Sequence, residues 1–221
     1  MNISRFIIIP IILLAAASCQ QQKTPNATET ISTSIDSSKG DSVKTQGIDE
    51  MNQASKNPVA TAQLIVPGKR IGQISINESG EDVHKKLGVP DAGDAAMGKS
   101  ISIWFANKDT TSYVTQIYFS RGQEDDDVQR VKQIRVTSPA FKLNNEIGVG
   151  SALDRVKTAY QLIKTATFTE KGVKLFLYDD SKAGIAFDVH NNVISGITVH
   201  EPGREAAKTY LSFFPDLKII E

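Results

Sequence analysis

Apolar and polar residues alternate at a period of two in several short segments between Ile101 and His200, and this alternation constrains the fold more than any other feature. It is typical of β-strands with one buried face, because successive side chains of a strand point to opposite sides of a sheet. The residues that share the mainly apolar face of each segment are Ile101, Ile103, Phe105; Thr115, Ile117, Phe119; Ile134, Val136; Val173, Leu175, Leu177; and Ile185, Phe187, Val189. Short polar turns separate these segments, which predicts antiparallel meanders.

Two helices are predicted beside these strands. Ser79 is a suitable cap for a helix from about Gly80 to Leu87, and Gly88 and Pro90 then end it. Ser151 is expected to cap a second helix that runs through about Tyr160. A further helix is expected in the tail, around residues 204–214.

The order of these elements occurs twice. Ile74 and the residues after it align with Ile147 at an offset of 73 residues (147 − 74), and Val131–Pro139 align with Ile194–Pro202 at an offset of 63 (194 − 131). We therefore expect an α+β fold of two tandem repeats, at residues 63–140 and 141–221. Each repeat is expected to be a short helix packed on an antiparallel meander sheet of about three to four strands, and the second ends in the C-terminal helix.

This doubled pattern of small-residue turn, capped helix and closing I-x-V strand resembles the tandem modules of β-lactamase-inhibitor-like proteins. It also resembles the single module of the BamE/SmpA-type lipoprotein of the outer-membrane assembly machinery. The resemblance covers about Val66 to Pro202. It implies non-catalytic protein binding by a concave sheet face.

The N-terminus has the features of an export signal. Arg5 precedes an apolar run from Phe6 to Leu14, which is too short to span a bilayer, and small residues lead to Cys19, the only cysteine of the chain. This arrangement resembles the lipobox of bacterial lipoproteins, in which the thiol is acylated. Residues 1–18 are thus predicted to be a lipoprotein signal peptide, and an ordinary signal peptidase site within residues 15–18 is the alternative.

Residues 19–62 are predicted to be the lipidated cysteine followed by a disordered tether, because they are polar and have no aromatic residue. About 40 such residues have a root-mean-square reach of roughly 35 Å. Acyl chains on Cys19 would hold the protein on a bilayer without a protein helix. The residues after Cys19 are Gln20-Gln21-Gln22-Lys23, without the aspartate that retains some lipoproteins on the inner membrane, which favours the outer membrane facing the periplasm.

The sequence offers no pattern for catalysis, cofactor binding or metal binding. His84, His190 and His200 lack the spacing of a zinc site, and neither a Gly-x-Ser-x-Gly elbow nor a phosphate-binding glycine loop occurs. The acidic run of residues 124–127 lacks the alternation of a calcium loop, so it is interpreted as a solvated hairpin tip. The 25 basic residues balance the 25 acidic ones, which argues against nucleic acid as a partner.

Large side chains on the predicted polar face of the strands are the candidate partner-binding residues: Trp104, Tyr118, Arg135, Phe176 and Tyr178. One interpretation is packing against the tail helix or between the repeats. The other is a partner-binding surface, because Trp, Tyr and Arg dominate interface hot spots. The sequence leaves both open.

The function expected from these features is that of a membrane-anchored envelope lipoprotein acting as a non-catalytic module that binds or assembles with another envelope protein. Two alternatives are an inhibitor of a secreted or periplasmic enzyme and a hydrolase acting on cell-wall material. The hydrolase would need convergent acid and base residues, and the sequence pattern supplies none.

The lipid anchor is testable at Cys19. The variant Cys19→Ala should no longer incorporate labelled fatty acid, because acylation requires the thiol. Incorporation is measured on the immunoprecipitated protein after growth with the label. Labelling that persists in the variant would refute the anchor.

Overall fold

The computed structural model describes residues 59–122 and 127–220, and this part of the chain is mainly β structure. The predicted signal peptide, Cys19 and nearly all of the predicted tether lie outside the described residues. So do three residues of the acidic run, Glu124 to Asp126.

The first half of the described chain contains seven strands and one helix. A small sheet of β1 (Ile65–Val66), β2 (Arg70–Ile71) and β3 (Ile74–Ser75) precedes helix α1 (Gly80–Leu87). Four strands follow as a meander: β4 (Ala92–Ala96), β5 (Lys99–Phe105), β6 (Val114–Arg121) and β7 (Gln129–Val136). Short 3-10 turns lie at Thr61–Gln63 and Ala106–Lys108.

The second half begins with a short helix, α2 (Leu153–Lys157). Another four-stranded meander follows: β8 (Ile163–Glu170), β9 (Val173–Asp180), β10 (Ile185–His190) and β11 (Val193–His200). Helix α3 (Ala206–Thr209) and strand β12 (Lys218–Ile219) come last.

All strands from β4 onward belong to one nine-stranded antiparallel sheet, in the order β12-β8-β9-β10-β11-β7-β6-β5-β4. The two meanders join where β7 pairs with β11, with Ile134 opposite Val199 and Arg135 opposite Thr198. The predicted α+β fold of two repeats, each a helix on its own small sheet, is therefore wrong. The closing strands satisfy each other's edge hydrogen bonds, and this pairing merges the sheets and their cores.

The two closing strands, β7 and β11, contain the segments that match in sequence, and they pair with each other. The offset of 63 residues equates Arg135 with Thr198, and these two residues lie directly opposite each other in the β7–β11 pairing. Ile134 and Val136 are likewise opposite Val199 and Ile197. The segments that match in sequence are thus antiparallel neighbours at the centre of a single sheet.

The main core lies on one face of this sheet, which we call the helix face. Ile117, Ile134, Phe187 and Ile197 project from the central strands, and each is at most 1% exposed. The covering side chains come from the two helices, the small sheet and the connection between β7 and α2: Val83, Val156, Ile65, Ile71, Leu143 and Ile147.

The opposite face is covered by residues 204–217, which we call the C-terminal strap. A second apolar cluster forms there from the sheet residues Ala166, Phe168, Leu175, Leu177 and Ala186 and the strap residues Ala206, Phe214 and Leu217. Phe214 stacks on Phe168 with ring centroids 3.9 Å apart. Both faces of the sheet are therefore buried along its centre.

The helices agree only in part with the sequence analysis. Helix α1 is confirmed, and Ser79 caps it by accepting a hydrogen bond from the Asp82 amide at 3.1 Å. The second helix is shorter than predicted, and its N-cap is Ala152. Ser151 does not cap it, because the Ser151 hydroxyl accepts a bond from the Gly148 amide instead. The tail is mostly non-helical apart from α3. Within the described ranges, no helix has the length and apolar character to cross a membrane.

A single shared core predicts one cooperative unfolding event. Ile134→Ala at the centre of the sheet should lower the free energy of unfolding by about 2–5 kcal/mol, because it leaves a cavity between strands of both meanders. Urea unfolding followed by circular dichroism measures this change, and Leu211→Ala at a half-exposed position is the control with little effect. Two separate transitions, of which the substitution shifts only one, would contradict the shared core.

Candidate protein-binding site

Trp104 lies on the helix face of the sheet and is only 9% exposed. Its neighbour on β6 is Thr115, and its indole Nε1 donates a hydrogen bond to the Gly88 carbonyl at 3.2 Å. The expectation that Trp104 and Tyr118 share a face is wrong. Ile101 is the residue opposite Tyr118, and side chains directly opposite each other share a face, so Trp104 projects from the other one.

Tyr118 and Arg135 project from the face that the C-terminal strap covers. The Tyr118 ring lies 5.8 Å from the ring of Tyr210 in the strap. For Tyr118, the packing interpretation raised from the sequence therefore describes the structure. Arg135 is 1% exposed and lies deeper.

Arg135 is the centre of a buried charge cluster. Its Nε donates to Asp188 at 2.7 Å, its Nη1 donates to Gln116 at 2.7 Å, and its two Nη atoms fork onto Glu170 at 3.1 and 2.6 Å. The Phe214 ring lies over the guanidinium at 4.8 Å. Burial alone lowers the pKa of Arg135, but the nearby carboxylates of Asp188 and Glu170 outweigh this effect and raise it, so the group stays charged.

Gly196 makes room for this cluster on β11. It lies opposite Asp188, and a Cβ at this position would be 3.0 Å from Asp188 Cγ and 3.2 Å from Arg135 Nη2. Any larger residue would displace the ion pair. The cavity between cluster and strap is about 20 Å³, which is room for about one water molecule. The cluster therefore joins β6, β7, β8 and β10 and leaves no space for a substrate.

A second polar group fixes the start of the strap. The buried His200 bonds Asp179 Oδ1 through its Nε2 at 3.1 Å, and Asp179 Oδ2 accepts from the Ala206 amide at 2.8 Å. Tyr210 Oη donates to Glu201 at 3.2 Å. Burial, together with the Glu201 charge, raises the pKa of Tyr210, so the phenol stays protonated and can donate.

Phe176 and Tyr178 are half-buried on the helix face of β9. The Phe176 ring lies 4.7 Å from Lys164 Nζ and 5.5 Å from Lys174 Nζ, and Tyr178 packs beside the main core. The structure thus places Trp104, Tyr118 and Arg135 in the interior and does not bring the five predicted residues onto one surface. Their role in partner binding stays a prediction.

The sequence analysis missed a sheet edge that, among the described residues, has no strand paired to its outer side. Strand β4 is the last strand of the nine-stranded sheet, and all five of its residues are exposed. Its sequence Ala-Gly-Asp-Ala-Ala has low strand propensity. The available signal was the two-residue turn Met97-Gly98, which has φ of 50° and 74° and joins β4 to β5.

The Asp94 side chain bonds one of the backbone amides of β4 that point away from the sheet. A two-residue turn is closed by a hydrogen-bonded pair, here Ala96 and Lys99, so the amides of Gly93 and Ala95 point away from β5. The Ala95 amide donates to its neighbour Asp94 Oδ1 at 2.8 Å. A charged residue on an edge strand discourages unspecific strand pairing.

A pocket of about 240 Å³ lies at the start of β4. Its lining includes Leu87, Val89, Trp104, Phe105 and Lys108. Val89 is 87% exposed, and Met97 at the other end of β4 is fully exposed. The sheet edge is therefore flanked by apolar side chains that are exposed to solvent.

Among the described residues, no three His, Cys, Asp or Glu side chains lie together as a metal site would require.

No family model and no curated protein matches the chain. Two solved structures are similar to it in part. One is an extracellular protein containing an SCP domain from Bacillus anthracis, at 11% identity and TM-score 0.36 over 72% of this chain and 50% of that one. The other is a cysteine-rich secretory protein from Staphylococcus aureus, at 12% identity and TM-score 0.38 over 66% and 48%. The chain spans about half the length of each.

The sheet topology contradicts the resemblance drawn from the sequence to β-lactamase-inhibitor-like or BamE/SmpA-type modules. Those modules would require two small sheets, and the chain forms one sheet of nine strands. The resemblance is therefore wrong, and so is the concave sheet face that it implied, because helices and strap cover both faces.

The charge cluster is testable through stability. Arg135→Met should lower the free energy of unfolding by about 3–5 kcal/mol, because it leaves the Asp188 carboxylate buried without its partner. Lys182→Met, at an exposed lysine, is the matched control with a change near zero. Both values come from urea unfolding at neutral pH. Equal stabilities of the two variants would show that the buried pair does not stabilise the fold.

Proposed function

We propose that this protein is an envelope lipoprotein, anchored through Cys19, that binds another envelope protein without catalysing a reaction. The observation that carries the proposal is the open edge of β4, where five exposed residues end the nine-stranded sheet. Such an edge offers backbone N–H and C=O groups to an added strand, which is a common mode of protein recognition.

The location of the edge supports this use. Both faces of the central sheet are covered, by the helices on one side and the C-terminal strap on the other. A partner at β4 displaces none of this cover, because the strand and its flanking residues Val89 and Met97 are already exposed. A protein can therefore bind at this edge without uncovering either face of the sheet.

The proposed anchor and tether suit the same function. Two or three acyl chains hold a protein on a bilayer essentially permanently. A polar tether with a reach of roughly 35 Å would let the module search the space above the headgroups for its partner. Localisation in the outer membrane facing the periplasm belongs to this proposal.

Site-specific photo-cross-linking in living cells tests the function. A photoreactive amino acid replaces Val89 or Met97 beside β4 in the full-length lipoprotein, and in the control it replaces Val193, the first residue of β11, which is 43% exposed. The two positions beside β4 should cross-link the same protein, and Val193 should not, since only the former would lie in the interface.

Two outcomes would overturn the proposal. One is the absence of a cross-linked protein at both β4 positions, or the same products from all three. The other is chemical turnover of the captured protein by the purified lipoprotein, which would contradict binding without catalysis. Inhibition of a captured enzyme would instead make the protein an inhibitor rather than an assembly module.

A further inference from the structure

We propose that a groove between the two meanders binds a neutral, hydroxyl-rich ligand of the carbohydrate class. One wall of this groove is formed by residues 109 and 111–114 of the first meander, the other by residues 170–171 and 194–195 of the second, and Thr137 and residues 149–150 complete the lining. The groove shares no lining residue with the pocket beside β4. The inference therefore goes beyond the proposed function and does not depend on it.

The groove has the size and the location of a small-molecule site. Its volume of about 740 Å³ lies within the range of roughly 300–1,000 Å³ that is usual for such sites. Sites of this kind are common where two structural units meet, and here each wall belongs to a different meander.

One lysine connects the two walls. Lys171 and Gly172 form the β8–β9 turn with φ of 50° and 77°, as a type I′ turn requires. The Lys171 ammonium donates to the carbonyls of Thr111 at 2.8 Å and Ser112 at 3.2 Å in the first meander. Walls that are fixed before binding lose little conformational entropy when a ligand enters, which favours its affinity.

The wall of the first meander is also held from within. The Asp109 carboxylate accepts hydrogen bonds from the amide and the hydroxyl of Thr111, both at 2.8 Å. These bonds, together with the nearby charge of Lys171, lower the pKa of Asp109, so its carboxylate is ionised at neutral pH. The loop before β6 is thus held in place from both sides.

The charges at the groove do not select a charged ligand. Lys171 stands against Asp109, while Glu170, the other acidic lining residue, is bonded by both Nη atoms of Arg135. With Arg135 and its further partner Asp188 included, the surroundings carry two positive and three negative charges, so they do not attract an anion. In the described part of the chain, no cluster of three acidic, His or Cys side chains is present to hold a metal ion. A neutral ligand is therefore favoured.

Hydroxyl groups dominate the polar lining. Five side chains supply them: Thr111, Ser112, Tyr113, Thr137 and Ser195. Within residues 59–122 and 127–220, no hydrogen bond occupies the hydroxyls of Ser112 and Tyr113, and Thr137 Oγ1 only accepts, from the Val114 amide at 2.8 Å. A hydroxyl both donates and accepts, so these groups can pair with the hydroxyls of a sugar in either direction.

Tyr113 adds an aromatic surface to these hydroxyls. Its side chain lines the groove and is 50% exposed. A tyrosine has an apolar ring and a polar tip, and it binds well where one side of a ligand is apolar and the other is hydrated. A sugar ring has this character, because its C–H groups form an apolar face and its hydroxyls form a polar rim.

A peptide segment fits the groove less well. Lys171 already occupies the carbonyls of Thr111 and Ser112, so these groups are not free to pair with an added strand. The apolar lining residues Val114 and Ile194 are only 7% and 1% exposed, so they offer little surface to an apolar side chain. A carbohydrate needs neither a free strand edge nor a deep apolar pocket.

A glycan microarray probed with the full-length lipoprotein tests the inference. The array carries neutral oligosaccharides of glucose, galactose, mannose and N-acetylglucosamine beside sialylated and sulfated ones. The protein is kept in a polyoxyethylene detergent, because the headgroup of a maltoside or glucoside detergent would compete for the groove. We expect binding to neutral oligosaccharides, and titration calorimetry with each bound oligosaccharide then gives its affinity.

Variants of the protein locate the oligosaccharide. Tyr113→Ala should weaken binding about tenfold, which is a common effect of removing an aromatic side chain from a binding site. Leu211→Ala is the matched control, because Leu211 is 51% exposed and lies outside the groove, and it should bind like the unaltered protein. Lys171→Met should also weaken binding, since it releases the two walls from each other, whereas Lys182→Met should not.

Several results would overturn the inference: no binding of any neutral oligosaccharide, binding confined to the acidic ones, or equal affinities of Tyr113→Ala and Leu211→Ala. A photo-cross-link from position 113 to an envelope protein, without glycan binding, would overturn it in favour of a protein ligand. If circular dichroism shows that Lys171→Met unfolds, Tyr113→Ala decides the question, because that side chain is exposed. Cross-links from Val89 and Met97 test the proposed function separately, so either proposal can fail alone.

Discussion

The rest of the structure depends on the backbone pairing of β7 with β11. Each strand closes a meander, and each would otherwise leave a row of N–H and C=O groups without partners in the interior. Their pairing turns two four-stranded meanders into one sheet, and it places Arg135 beside Thr198 at the centre. The charge cluster of Arg135 is buried because this join exists, since its carboxylate partners Asp188 and Glu170 come from the other meander.

Local features of the fold could be predicted from the sequence. The capping serine and the glycine stop define α1, and both act within a few residues. The alternating segments define most of the long strands. The assembly could not be predicted, because the pairing of β7 with β11 joins residues more than sixty positions apart and depends on edges that the alternation does not mark. A repeated pattern is equally compatible with two sheets and with one.

The site was harder to predict than the fold. Alternation shows that Trp104 and Ile103 face opposite sides, but it does not tell which side the main core covers. The pairing of β5 with β6 decides this, and it places Trp104 beneath α1. Arg135 and Tyr118 belong to the second face, and the alternation left open whether the tail or a partner covers that face. Strand β4 could not be predicted from the sequence, because alanine and glycine have low strand propensity.

The strap has a consequence for the order in which the molecule can form. Every residue that it covers precedes it in the chain, and the contacts that fix it are distant in sequence, such as Gln133 with Ala206 and Tyr118 with Tyr210. Contacts of this kind slow folding, because a long loop must close before they form. Arg135 therefore loses its hydration only when β7 has met the other meander and the strap has closed over it.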